Sequence, residues 1–451
     1  MRKVTIRLFS QRLGIDGAIA YTVLARLIQA SGGMVSIIFI ANYLTKVEQG
    51  YYFTFGSILA IQIFFELGLS TIITQFVAHE MANLNWAGAT RLEGSETALS
   101  RLSSLLHFCV KWFAVVAFML LFILILAGYL FFTKFGKNTG PVNWIMPWVI
   151  ISISTACSLM ISPILAFFEG LGKVKEVSII RLIQQCCQIL ILFIALIAGL
   201  KLYSSAIANI ASLLAASVAV FFSYKKALLY FIWQQLKTWK VSYKVEIFPY
   251  QWRIALSWIG GYFIFQLFNP VIFATDGPVA AGQMGITLAV LNGILTVSLS
   301  WINTKIPLFS HLIARKEYGT LDLVFNKTLR QASLICFLCL ALLLFAVMAL
   351  RYLEMPMGTR FLPLLPLTLL CLTTFANQLV SALATYLRCH KQEPFFVLSI
   401  VLAILTASST FILGKLHGVT GIAIGYCTIT IFVGVIWGAI IFKKKKKLWH
   451  Q

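Results

Sequence analysis

The sequence predicts an all-α integral membrane protein of twelve transmembrane helices in two six-helix bundles. Three observations predict it. First, 60% of the residues are hydrophobic and only 11% are charged, against about 25% charged in soluble domains. Second, twelve apolar stretches reach the roughly 20 residues that a helix needs to cross hydrocarbon. Third, six of these stretches precede a basic segment in mid-chain and six follow it. No stretch alternates with the period of two expected of barrel strands. In lipid, a lone segment satisfies its backbone groups only as a helix.

The first expected span covers 20–44 and carries Arg26, with Gln29 one turn on. Arg26 lies about 9 Å in from Ala20 at 1.5 Å per residue. Snorkelling to the interface and a functional role are both open for it. The second span covers 50–77, within GYYFTFGSILAIQIFFELGLSTIITQFVAH, and carries Glu66. As one helix it would put Glu66 about 24 Å from Gly50 and about 20 Å from His79. A charge at such depth costs about 2.5–3.5 kcal/mol on insertion scales. Glu66 is therefore expected to be protonated, to pair with a cation, or to face a polar cavity. With Gln62 one turn earlier, it is the leading candidate for coupling or gating.

Spans 110–133, 144–168, 178–199 and 202–224 complete the first half. In the second half, span 254–275 contains Asn269 before Pro270, and span 283–310 contains Asn303, Lys305 and Pro307. A proline inside a helix frees a carbonyl and bends the axis. A bent helix with Lys305 and Asn303 suits a gate or an anion site, with Pro307 and Asn269 as gating positions. The remaining spans are 329–350, 362–387, 395–415 and 418–442. Asn292 and Asn377 read as amides bonded to a neighbouring helix, and Asp276 in TDGP reads as an outer turn. Moving the second span by 232 residues places Gly50 on Gly282 and His79 on His311. These two helices read as counterparts in two halves, although Glu66 then falls on Ser298.

The net charge of +22 does not imply nucleic acid. Of the 36 Lys and Arg, 27 fall on one side of the membrane and 7 on the other, with Arg26 and Lys305 inside spans. The positive-inside rule then puts both termini in the cytoplasm. Residues 1–224 form the expected N-terminal bundle, 225–253 a cytoplasmic linker, and 254–451 the C-terminal bundle. The linker, KKALLYFIWQQLKTWKVSYKVEIFPYQWR, interleaves lysines with aromatic rings, as does a helix lying on the membrane surface. The run Lys443–Lys447 meets anionic headgroups of membrane lipids. Nine scattered cysteines give no disulfide framework, and Cys336 and Cys339 pack as small hydrophobes.

No GxxxxGK[ST] stretch occurs, and the six histidines are isolated. No metal site, cofactor or catalytic residue is expected. Transport would be driven by an ion gradient, H+ or Na+, or by the substrate's own gradient. The short outer loops argue against an enzyme such as a glycan polymerase or ligase.

LTKVEQGYYFTFGSILAIQIFFELGL with ITQFVAHE, AFFEGLGKVKEVSIIRL after the fourth span, and the twelve-span layout together resemble a known family. It is the polysaccharide-type flippases, including O-antigen translocases, of the multidrug/oligosaccharidyl-lipid/polysaccharide exporter superfamily. Multidrug-and-toxin extruders and lipid II flippases share that superfamily. The resemblance implies two bundles around a central cavity, in a bacterial inner membrane. It implies movement of an undecaprenyl-diphosphate-linked oligosaccharide to the periplasmic leaflet by alternating access, beside other polysaccharide assembly proteins. Arg26, Gln29, Asn303 and Lys305 are then the expected contacts for the anionic substrate. An ion-coupled drug extruder of the same fold is the alternative.

Overall fold

The computed structural model describes residues 32–33, 35–136, 142–390 and 392–449. Among them, ten helices are long and apolar enough to cross a membrane. One of these, Phe396–Trp449, holds both of the last two expected spans. They join at Gly418, whose φ of +56° breaks the helical path. The first expected span begins outside the described residues. The protein is a helical, multi-pass membrane protein.

The chain forms two compact units, and these are not contiguous halves. Ile61–Thr133 and Asn143–Trp258 belong to one, while Gly33–Ala60 groups with Ile259–Gln451 in the other. One helix pair holds the second unit together, and the docked linker belongs to the first.

In the second unit, residues 35–43 form α1 and Lys46–Leu59 form α2. A capping box starts α2: the Glu48 amide donates to Thr45 Oγ1 at 3.2 Å, and the Thr45 amide donates to Glu48 Oε2 at 2.9 Å. These two bonds satisfy N-terminal donors that the helix itself leaves open. Among the later helices of this unit are α12 (Pro278–Asn303) and α13 (Ile306–Ala314). The helices α2 and α12 cross at the two glycines that the 232-residue shift aligned. A Cβ added to Gly50 would lie 1.9 Å from the Pro278 carbonyl oxygen, and one on Gly282 would lie 2.9 Å from the Gly50 nitrogen. Gln49 Nε2 donates to the Gly282 carbonyl at 2.7 Å. Small residues let helix backbones approach this closely. The supposed counterparts are therefore direct neighbours in one unit.

The first unit contains α3 (Ile63–Glu66), α4 (Leu69–Met81), a two-stranded hairpin of β1 (Leu84–Trp86) and β2 (Leu92–Gly94), and α5 (Glu96–Phe135). It continues through α6 (Ile145–Gly170), α7 (Val174–Ile197), α8 (Tyr203–Phe221), α9 (Tyr224–Gln234) and the first part of α10 (Phe248–Phe265). The linker is not a free tether. Only α9 and a π turn at Tyr243–Ile247 are helical before α10. Ser103 Oγ donates to the Trp233 carbonyl, and the Trp233 ring stacks on His107 at 3.5 Å between centroids. Ser100 Oγ donates to the Trp239 carbonyl at 2.8 Å. Arg101 bridges Glu80, at 2.7 Å, and Glu246.

Burial pushes the Glu246 carboxyl up, but the Ser242 amide and the Arg101 guanidinium outweigh it and hold the group below its ordinary range. A depressed carboxyl stabilises the folded form above its unfolded pKa, about 4.3, and that contribution is lost as pH falls through the folded value. Linker docking is thus expected to hold at pH 5 and to weaken below about pH 4. Arg101→Ala should expose the 235–242 segment to protease already at neutral pH. Cleavage of the variant no faster than wild type would show that the arginine does not hold the linker.

Candidate functional site

The second span does not continue as one helix past Glu66. Residues Ala60–Gln62 tighten to a 3-10 turn, α3 ends at Glu66, and both Leu67 (φ +48°) and Gly68 (φ +69°) are left-handed before α4 begins. Gly68 adopts this conformation freely, while Leu67 bears a cost of roughly 1–2 kcal/mol. Leu67 still donates its amide to the Ile63 carbonyl at 3.0 Å. Freed backbone of this kind is tolerated at membrane depth where it lines a cavity or is buried in protein. Glu66 does sit on a cavity of about 890 Å³ within the first unit.

The cavity walls come from amphipathic stretches. On α7, Ser178, Arg181, Gln185 and Gln188 follow one another at helical spacing and all face it, with Gln184 beside them. From α6 come Ser158, Ser162 and Glu169; from α4 come Ser70, Thr71 and Thr74; Trp258 of α10 adds a ring. Helices α4 and α6 are tied together at this wall. Thr74 Oγ1 donates to the Ala166 carbonyl at 3.0 Å, and the Ser70 and Ser162 hydroxyls lie 3.3 Å apart. Gly170 allows the close packing, since a Cβ there would lie 2.5 Å from Val77 Cβ.

The charges within this polar surface are unevenly matched. Arg181 Nη2 pairs with Glu169 Oε1 at 3.0 Å. Glu66 has no ion-pair partner among the described residues. The rest of the polar lining is amide and hydroxyl. Glutamine offers both donors and an acceptor, and a hydroxyl offers either role. Such a surface hydrogen-bonds a neutral polyol without the desolvation cost of buried charge.

The other sequence candidates lie elsewhere. Arg26 and Gln29 are outside the described residues. Gln62 is half-buried in the 3-10 turn before α3. Asn303, Lys305 and Pro307 mark a break in the second unit. Helix α12 ends at Asn303, Lys305 caps α13, and Pro307 follows in its first turn, so the helix is interrupted just before the proline. Lys305 is exposed, and Asn303 borders a pocket of about 560 Å³ with Arg388 and His390. Asn269 is buried in α11 (Phe268–Thr275), where its Nδ2 donates to Ser57 Oγ at 3.1 Å and its Oδ1 finds no partner among the described residues. Asn377 donates to the Tyr426 hydroxyl at 2.8 Å, as expected of a structural amide. Asp276 does more than form a turn: its carboxylate accepts from the Val419 amide at 2.9 Å and so braces the Gly418 kink. The sequence candidates Glu66 and Lys305 belong to different units, and the glutamine row of α7 was absent from them. Its signal was present as polar residues three and four apart inside span 178–199.

No protein-family model matches this sequence, and no curated protein does. Solved structures match over nearly the whole chain. The MATE multidrug transporter DinF-BH is similar with a TM-score of 0.61 at 12% identity, covering 96% of this chain and 95% of that one. The lipid II flippase MurJ, in an inward closed conformation, gives 0.57 at 13% identity, covering 95% and 89%. An inward-facing multidrug resistance MATE family transporter of the MOP superfamily gives 0.55 at 12% identity, covering 90% and 95%. Two of these neighbours are multidrug transporters and one is a lipid II flippase. The chain shares the helical membrane fold of these structures.

Proposed function

We propose that the protein is a flippase for a lipid-linked oligosaccharide. It moves an undecaprenyl-diphosphate-linked repeat unit, of O-antigen or similar type, from the cytoplasmic to the periplasmic leaflet of a bacterial inner membrane. Both termini are cytoplasmic, and the protein works beside other polysaccharide assembly proteins. The observation that carries this reading is the amide-and-hydroxyl lining of the first unit's cavity. A sugar head cannot cross hydrocarbon unaided, and this lining replaces the hydrogen bonds that its hydroxyls make with water. Lys305 is a cation available to a diphosphate, and Arg181 lines the cavity already paired with Glu169. Lys305 with Asn303 remains the proposed anion contact of the second unit, joined by Arg26 and Gln29 of the first span. Gln62, Pro307 and Asn269 remain, with Glu66, proposed coupling or gating positions.

A second reading is an ion-coupled extruder of cationic drugs. The carboxylate of Glu66, which has no ion-pair partner among the described residues, favours it. Purified protein in liposomes separates the two. With undecaprenyl-diphosphate oligosaccharide in one leaflet, the protein should make the glycan accessible to a glycosidase on the other side. Extrusion of a cationic dye without glycan movement would support the second reading and refute the first.

A further inference from the structure

The geometry points to a seat for the substrate's isoprenoid tail: an apolar groove on the first unit that shares a wall with the polar cavity. This deepens the flippase reading and rests on it. The groove, about 1050 Å³, is bounded by α5, α6, α8 and α9. Ordinary ligand pockets hold about 300–1,000 Å³. Leu106, Val110, Ile164 and Trp233 are among its walls, and Lys226 is the one charged side chain on it among the described residues.

The groove exists because α9 overhangs the bundle without filling the space beneath it. Ser223 caps α9, Lys225 Nζ pairs with Glu176 at 2.9 Å, and Trp233 is held over His107. Leu228 and Ile232 are buried, while Met160, Leu214 and Tyr230 are 41%, 57% and 64% exposed.

Two helices carry the step from groove to cavity in the same way. On α6, Met160 lines the groove, Ile161 lines both spaces, and Ser162 lines the cavity. On α8, Leu214 lines the groove, Leu213 lines both, and Ser212 lines the cavity. Apolar and polar compartments thus meet at Ile161 and Leu213. This arrangement fits a molecule with a hydrogen-bonding head joined to a long hydrocarbon tail. A soluble drug needs one compartment, and the small head of a bulk phospholipid fills little of a polar cavity of about 890 Å³. Lys226 complements an anionic group on the same molecule.

The test uses the full chain in phosphatidylethanolamine nanodiscs. The probe is undecaprenyl-diphosphate oligosaccharide with a diazirine in its tail, and labelled peptides are mapped by mass spectrometry. Label is expected within 160–164, 213–217 and 226–233, displaced by the unlabelled lipid-linked oligosaccharide but not by equal phosphatidylglycerol. Label elsewhere, or equal displacement by phosphatidylglycerol, overturns the proposal. Leu214→Trp, at an exposed position, should cut both labelling and flipping at least tenfold. It should leave binding of the tail-free oligosaccharide unchanged, and wild-type flipping by this variant overturns the proposal. If the wild type flips no glycan but the tail still maps to the groove, the function reading falls and the groove stands. If the wild type flips glycan and the label maps elsewhere, the groove falls and the function stands.

Discussion

Glu66→Gln is expected to lower transport at least tenfold while leaving the fold intact. Glu66 lines the cavity at the left-handed break of the second span and has no ion-pair partner among the described residues. Its neutralisation therefore strands no partner charge among those residues, and unfolding free energy should change by no more than about 0.5 kcal/mol. Glutamine keeps the shape but replaces a titratable acceptor with a fixed amide. A tenfold loss corresponds to about 1.4 kcal/mol in the barrier. The wild type should respond to an imposed proton or sodium gradient, and the variant should not. Glu66→Asp, which restores the charge, should recover part of that response. A Glu66→Gln protein that transports at the wild-type rate, with the same gradient response, would remove Glu66 from coupling.

A second large effect is expected at the crossing of α2 and α12. Gly50→Ala should destabilise the protein, while Gly56→Ala, in the same helix, should not. In a helix interior, alanine gains roughly 0.5–1 kcal/mol over glycine, and a Cβ on Gly56 meets nothing within 4 Å. At Gly50 the new carbon would fall 1.9 Å from the Pro278 oxygen and 2.5 Å from its carbonyl carbon. Both are backbone atoms, so no rotamer relieves the clash. Overpacking of this kind costs about 1–3 kcal/mol. Moving the helices apart also weakens the Gln49–Gly282 hydrogen bond, worth about 1 kcal/mol. Thermal unfolding of the two purified variants in one detergent should shift in opposite directions. A Gly50→Ala protein that melts no lower than Gly56→Ala would show that the crossing tolerates a wider separation.

The spans were legible because length and apolarity are the whole requirement for crossing hydrocarbon. The break at Leu67 was not. Gly68 hinted at a turn, but nothing in FELGLS demands that a leucine become left-handed. The glycine alignment was visible and was read as symmetry; the contact between the two helices at those glycines was not visible, because sequence spacing carries no contact. Glu66 stood out by its cost in lipid, and the structure does place it on a polar cavity. The α7 glutamines did not stand out, since a search for deep charges passes over neutral amides. Arg181, near the start of span 178–199, entered only the count of charges by membrane side; the helix begins four residues before that span, at Val174. Arg26 and Gln29 lie outside the described residues.

The Gln49–Gly282 contact joins positions 233 residues apart. At roughly 5–20 residues per second of synthesis, α2 waits about 10–50 seconds for its neighbour to be made. During that interval the flat face around Gly50 has no mate from its own chain. The early part of this protein is therefore no self-sufficient folding module, and a chain cut at 224 would leave α2 an orphan in the bilayer, open to capture by other small-faced helices. Biogenesis of this protein ends late, when the second half arrives to claim a segment threaded into the membrane near the beginning.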